Sequence, residues 1–305
     1  LIVKGYKYIA NTIVWNKHSY EAKVRERLGT PTSWRDILNV KFSDNRTITG
    51  SYISTEPTLV AGTRGTAYAY DDLALTEEVL TVDQYRNIPI FIDEADRAQQ
   101  TYLDAMEIAE FQGEKINEFL ESQMLAQHAS WTDFGVTDLA GGAADDTSQI
   151  TVSPSNVDDI IRATKRKANA NNLVNKAVKH GRFIVWRAVD FEMLEAFVQA
   201  NGFDTADMAL KNGIPVEKAF HYMGVDHYLS NSHTANHVFA GVKNSGDLGI
   251  LSSTWGKVKH IEDPAGPSDG GSTNALSGLG LPSRVDYGWD FPAQLTEGVM
   301  DVNVV

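Results

Sequence analysis

Four histidines, His221, His227, His233 and His237, fall within 17 residues and form the densest group of metal-capable side chains in the sequence. His233-x-x-x-His237 would place two imidazoles on one helix face, the spacing with which many zinc enzymes hold their ion. The residues between them supply no HExxH glutamate, Ser-His-Thr-Ala-Asn reads as loop, and Asp226 is the one neighbouring carboxylate. The expectation is therefore histidines packed in and beside strands, with no metal ligand set. Other motifs lack the residue that would carry their reaction. Gly241 to Asp247 has the glycine spacing of a phosphate loop without its Lys-Ser/Thr, and Gly278-Leu279-Gly280 lacks the third glycine of a dinucleotide fingerprint. There is no Gly-x-Ser-x-Gly elbow. The complete absence of cysteine removes thiolate nucleophiles, iron–sulfur clusters and disulfides. The acidic pairs Asp158/Asp159 and Glu77/Glu78 suit helix starts and surfaces, and Asn45-Arg46-Thr47 is a formal glycosylation sequon without secretory context. No catalytic, cofactor-binding or metal residue is expected.

With no reaction to anchor, the charge distribution becomes the informative signal. The chain has 305 residues, 42 % hydrophobic and 22 % charged, enough to bury the cores of two domain-sized bodies. Its 40 acidic against 27 basic residues give a net charge of −13, which argues against a dedicated nucleic-acid binder because phosphate neutralisation needs a basic face. No apolar run reaches the roughly 20 residues of a membrane span. The charge is uneven: residues 1–46 carry nine Lys/Arg against four Asp/Glu, whereas residues 93–121 carry nine Asp/Glu against Arg97 and Lys115.

The elements that would carry these charges follow from periodicity. Residues 1–46 mix small apolar clusters with Lys and Arg and read as an arm, with helix-start chemistry at Ser33 and Asp36. Between Thr47 and Ile92, β-branched and aromatic residues recur around Gly62-Thr-Arg-Gly65, the pattern of a long hairpin. From Asp93 to Gln127 small and apolar residues keep helical spacing without a proline, which predicts a rod of roughly 50 Å. Glu110, Glu114 and Glu118 stack like charges on its outer face, which reads as a solvated face, with a partner-supplied Arg or Lys opposite them as the alternative. After a Gly/Asp-rich joint the pattern turns to mixed α and β. Asn156 with Asp159 opens a helix, Arg182 to Val189 reads as a buried strand, and Asp190 caps the helix FEMLEAFVQA. A short helix over 205–211 follows. Strands are then expected near 220–229, 237–242, 248–262, 284–287 and 299–305, around a surface loop from Pro264 to Pro282.

The ordered set of segments LTVDQYRNIPIFIDEADRAQQTYLDAMEIAEFQGEKINEFLES, NVDDIIRATKRKA, RFIVWRAVDFEMLEAFVQANGF, HYMGVDHYLSN, FAGVK and LPSRVDYGWDF resembles tailed-bacteriophage major capsid proteins of the Hong Kong 97 phage type. The resemblance spans nearly the whole chain and lies in the order of segments. It implies an α+β phage capsid fold with a 1–46 N-terminal arm, a 47–92 extension-loop β-hairpin, a 93–149 peripheral domain with a spine helix over 93–127, a 150–262 axial domain, and a 263–305 loop with closing strands of the peripheral domain. It further implies a non-enzymatic shell protein without cofactors, assembling as hexamers and pentamers into an icosahedral shell around double-stranded DNA. The partners would be other copies of itself, with portal, scaffolding and possibly decoration proteins, weak contact with DNA and none with a membrane. The location implied is the virion capsid, assembled in the bacterial host cytoplasm. The inter-subunit contact candidates are Arg64 at the extension-loop tip, with the basic arm, against Glu107, Glu110, Glu114 and Glu118 of an adjacent rod. Local DNA contact would fall to Arg162, Lys165, Arg166 and Lys167. Some relatives weld the shell through an extension-loop lysine, but no lysine occurs between Lys41 and Lys115, so that crosslink is unavailable from this loop. An encapsulin-like nanocompartment and a histidine-dependent metalloenzyme are the alternatives.

Overall fold

Runs of alternating or continuous apolar residues decide where this chain becomes sheet, and the stripes between them decide which helix faces cover it. The computed structural model describes residues 17–29, 32–53, 64–65, 75–93, 102–142, 145–170, 174–200, 218–262, 278–292, 295 and 298–305. Among these, the helices are α1 (Lys17–Leu28), α2 (Ser33–Ile37), α3 (Tyr102–Leu125), α4 (Val136–Leu139), α5 (Val157–Ala170), α6 (Val174–His180) and α7 (Ala188–Ala200). A 3-10 turn, Ala126–Ser130, continues from α3. The strands are β1 (Asn39–Ser43), β2 (Thr47–Ile53), β3 (Leu75–Thr81), β4 (Gln84–Ile88), β5 (Phe91–Asp93), β6 (Thr132–Phe134), β7 (Arg182–Trp186), β8 (Lys218–Tyr222), β9 (Val225–Leu229), β10 (His237–Val242), β11 (Asp247–Leu251), β12 (Ile261–Glu262), β13 (Gly278–Gly280), β14 (Ser283–Asp290) and β15 (Val299–Asn303). The described residues fall into two compact units. One draws on Leu1–Thr30, Tyr85–Asn117 and Thr254–Val285, the other on Pro31–Gln84, Glu118–Ser253 and Asp286–Val305.

In the second unit a six-stranded sheet runs β6-β15-β10-β7-β9-β8. One face carries Ile184, Trp186, Val238, Ala240, Val242, Met300 and Val302, all buried with Val157, Ile160 and Ile161 of α5 and Leu194 and Val198 of α7. The α5 residues recur at i, i+3, i+4, i+7 and i+11, so one stripe faces the sheet while Arg162 on the outside pairs with Asp158 and Asp159. The other sheet face holds Phe183 and Phe239, and Trp131 stacks on Phe239 with ring centroids 3.7 Å apart. β15 lies between β10 and β6, in register His237↔Asn303 and Met300↔Thr132. β15, buried along its whole length, is an inner strand of this sheet, while β13 pairs with β12 and β5 in the first unit. A strand buried on both faces needs neighbours on both edges, and β15 finds them in β10 and β6.

The expected hairpin is present as β2 against β3, in unbroken antiparallel register from Thr47↔Thr81 to Ile53↔Leu75. At its root Leu80 and Val82 are buried and close on Gly249 of β11, where a Cβ would meet Leu80 Cδ2 at 3.0 Å. Farther out Val79 and Leu75 are exposed. Within residues 33–43, Trp34 and Ile37 are fully buried, and β1 pairs in parallel with β11. Asp190 sits inside the first turn of α7 and is held by Arg187 at 2.6 and 3.0 Å, so it does not cap that helix. Asn156 accepts from the Ser153 backbone N–H at 2.8 Å, tying the chain entering α5. The short helix expected at 205–211, most of the Pro264–Pro282 loop, and residues 94–101 of the expected rod lie outside the described residues.

Candidate functional site

The acidic face of α3 meets its positive partner within the same chain. Lys17–Leu28 is basic in its last turn, and it lies along α3 with Lys23 Nζ 2.8 Å from Glu110 Oε1 and the Arg27 guanidinium paired with Glu114. The hydrogen bond to Glu110 raises the Lys23 pKa, and the same bond lowers that of Glu110. Gly113 makes the approach possible: a Cβ there would meet Arg27 Cβ at 2.9 Å and the Val24 carbonyl oxygen at 3.1 Å. Beneath the pairs, fully buried Gln112 donates to the Ile88 and Leu281 carbonyls at 3.0 Å each and accepts from Tyr20 at 3.2 Å. Asn117 donates to the Arg27 carbonyl, satisfying an orphan acceptor at the end of α1. Glu107 and Glu118 are exposed, as is Arg64 in its turn with Gly65. The stripe is therefore divided, with two of its carboxylates, Glu110 and Glu114, paired to α1 while remaining partly exposed. A Gly113→Leu substitution is expected to overpack this crossing, costing about 1–3 kcal/mol and opening α1 to limited proteolysis while the sheet of the second unit stays protected.

The four clustered histidines do not converge. His221 is exposed and hydrogen-bonds Asp226 at 2.7 Å. His227 is buried, accepts from Trp186 Nε1 at its Nδ1 (2.9 Å), and faces the Tyr222 carbonyl with Nε2. Burial lowers the pKa of both His227 and His233 to about 4. His237, at the start of β10, instead meets two residues that sequence spacing did not single out. Its Nδ1 lies 2.7 Å from Asp301 Oδ2 on β15, and His128 Nδ1 of the 3-10 turn is 3.6 Å from the same oxygen. The two imidazoles stack with centroids 3.9 Å apart. Burial raises the Asp301 carboxyl to about 7 and lowers His237, so desolvation works against charge on both partners of this short contact.

A second polar cluster centres on Lys243, just beyond β10. Its ammonium is 2.6 Å from Asp36 Oδ2, 2.6 Å from Asp226 Oδ2 and 2.9 Å from the Tyr228 hydroxyl, and that hydroxyl also donates to Asp36. The side chain of Lys243 is 8 % exposed and that of Asp226 14 %. This ties α2 to β9 and β10, a contact between residues more than 200 positions apart in sequence. The basic run of α5 is likewise engaged internally. Lys165 donates to the Met223 carbonyl, Arg166 to the Asp138 carbonyl, and Lys167 to the Asp133 carbonyl at 2.7 Å with an ion pair to Asp138 at 3.0 Å. Among the described residues, then, the polar clusters hold elements together.

No protein-family model matches the chain, and no curated protein matches it in sequence. Solved structures do match. The capsid of Ralstonia phage GP4 aligns with a TM-score of 0.56 at 8 % identity, over 88 % of this chain and 87 % of that one. The capsid structure of cyanophage P-SCSP1u aligns at 0.55 and 13 % identity, over 90 % and 88 %. This chain has the phage capsid fold. A virus-like particle from Pyrococcus furiosus also aligns at 0.55 and 10 % identity, over 94 % of this chain and 98 % of that one. In this chain the Lys243 and His237 clusters lie at the six-stranded sheet, and the α1–α3 ion pairs lie on the long helix.

Proposed function

We propose that this chain is the structural major capsid protein of a tailed phage, assembling as hexamers and pentamers into an icosahedral shell that encloses double-stranded DNA. The observation that carries the reading is the match, over about nine-tenths of the chain, to structures that are themselves phage capsids. The hairpin supports it: β2–β3 extends from a buried root to exposed Leu75 and Val79, apolar surface suited to a neighbouring copy. The role is mechanical, the location the virion shell, and the capsid would assemble in the bacterial host cytoplasm. Portal, scaffolding and decoration proteins are its further partners.

Residues 1–46, 47–92, 93–149, 150–262 and 263–305 would serve as arm, extension loop, peripheral domain, axial domain and closing segment. Arg64 at the loop tip would dock on the acidic stripe of an adjacent subunit, where Glu107 and Glu118 are the exposed members and Glu110 and Glu114 already hold Lys23 and Arg27. Packaged DNA would be contained with little direct grip, in keeping with the net charge of −13 and the internal engagement of Lys165, Arg166 and Lys167.

Negative-stain microscopy and sedimentation of the purified protein test the reading. Closed particles or capsomers are expected, with Arg64→Glu lowering particle yield several-fold at low salt and less so at high salt. A protein that stays monomeric under every assembly condition would overturn the shell reading, whereas normal assembly of Arg64→Glu would remove only the docking role of Arg64. The shell around a virus-like particle shares the fold, so the particle's contents separate the phage reading from an encapsulin-like one: DNA supports the first and protein cargo the second.

A further inference from the structure

The second face of the six-stranded sheet carries a group of side chains whose arrangement exceeds what packing requires. His128, His237 and Asp301 offer ligand atoms that all lie within 4.8 Å of one another. They come from three separate elements: the 3-10 turn after α3, the start of β10, and the middle of β15. Asp301 is 2 % exposed and its Oδ1 has no hydrogen-bond partner, an arrangement that costs folding energy unless another group completes it. Its other oxygen is shared by two imidazole nitrogens, at 2.7 and 3.6 Å.

We propose that His128, His237 and Asp301 form a binding site for a divalent transition-metal ion of the zinc class. Two imidazoles and one carboxylate are donors that such ions accept, and three protein ligands leave a fourth position for water. With metal–ligand bonds of about 2.0–2.2 Å, tetrahedral ligand atoms lie roughly 3.3–3.5 Å apart, close to the spacing already present. The stacked rings stand at an interplanar angle of 23°, so seating an ion requires one imidazole to turn about its Cβ–Cγ bond. His128 and His237 are 26 % and 23 % exposed, which leaves both the room to turn and a route for the ion to enter. Nearby, Asp133 stands opposite Asp301 in the β6–β15 register and adds negative charge, and Asn303 donates to it at 3.2 Å. A bound ion would clamp the turn that follows α3 to two inner strands. The site is independent of the shell reading, because it lies within one chain and asks nothing of a neighbour.

Cobalt(II) titration of the purified full chain, followed by its visible d–d absorption, tests the proposal. Stoichiometric binding with bands of a four- or five-coordinate ion is expected, displaced by zinc. His128→Ala should weaken binding at least about tenfold while leaving far-UV circular dichroism unchanged, since His128 is partly exposed on a short turn. His237→Gln gives a second readout, and His221→Ala serves as the control because His221 lies outside the cluster and should bind cobalt as the parent does. Failure of the parent protein to develop the bands, or their survival at full strength in His128→Ala, would overturn the site.

Discussion

Lys243→Met lowers the stability of the second unit by about 3–5 kcal/mol, a loss large enough to prevent folding at physiological temperature in a domain of ordinary margin. Methionine keeps the volume of the lysine stem, so the loss comes from charge. The Lys243 ammonium is the shared counter-ion of Asp36 and Asp226, and with it gone Asp226 would lose a cation 2.6 Å away in a site 14 % exposed, while His221 stays on its other oxygen. Partnered removal distinguishes this from lost packing. Adding Asp226→Asn to Lys243→Met should recover a large part of the loss, because the second change removes the stranded carboxylate. Urea unfolding of the two variants and the double variant gives the coupling directly. Equal stability of the single and double variants would show that the charges are solvated in solution and that the cluster contributes little.

Acid destabilises the same unit through His227. In the folded chain Nδ1 accepts from the Trp186 indole N–H, so it cannot carry a proton without breaking that bond, and burial lowers the imidazole pKa to about 4 against an ordinary 6.5. A histidine with a depressed folded-state pKa is bound by more protons when unfolded throughout the interval between the two values. Stability is therefore full above about pH 6.5 and declines as the pH falls towards 4, by roughly 3 kcal/mol for this group across the window. His233, also lowered to about 4 by burial, acts in the same direction. Thermal unfolding midpoints measured at pH 4.5, 5.5 and 7, with the assembly state held constant, should fall in that order towards acid. Replacing His227 by glutamine, whose side-chain oxygen can accept from Trp186, should flatten the dependence. An unchanged slope in His227→Gln would assign the acid sensitivity elsewhere.

How much of this was legible in the sequence differs between elements for a physical reason. The hairpin β2–β3, the helix α5 and the strand β7 follow from residues close together in the chain, where a period of 2 or 3.6 records which face is buried. That Glu110 and Glu114 share one face of the rod was also readable from their i, i+4 spacing, but that spacing fits a solvated face as well as a positive partner. That the partner is α1 of the same chain depends on a crossing at Gly113, which no local pattern encodes. The histidines show the same division. Their sequence context pointed to packing in and beside strands, and β8, β9 and β10 do send them to different neighbours, while a convergent group among the described residues joins His237 to His128 and Asp301 from distant segments. The order of segments carried the capsid resemblance although no single motif did.

By itself, then, the sequence set the classes of chemistry available to this protein: no thiol, no phosphate loop, a strong acidic excess, and a mixed set of helices and strands in a recognisable succession. Only the tertiary structure decided that β15 enters the six-stranded sheet between β10 and β6, that Asp36 reaches Lys243, and that Asp301 is shared by two imidazoles. Periodicity is a property of neighbours along the chain, whereas the buried polar pairings His237–Asp301 and Asp36–Lys243 join residues 64 and 207 positions apart, and the free energy that selects one closure over another belongs to the packed core as a whole.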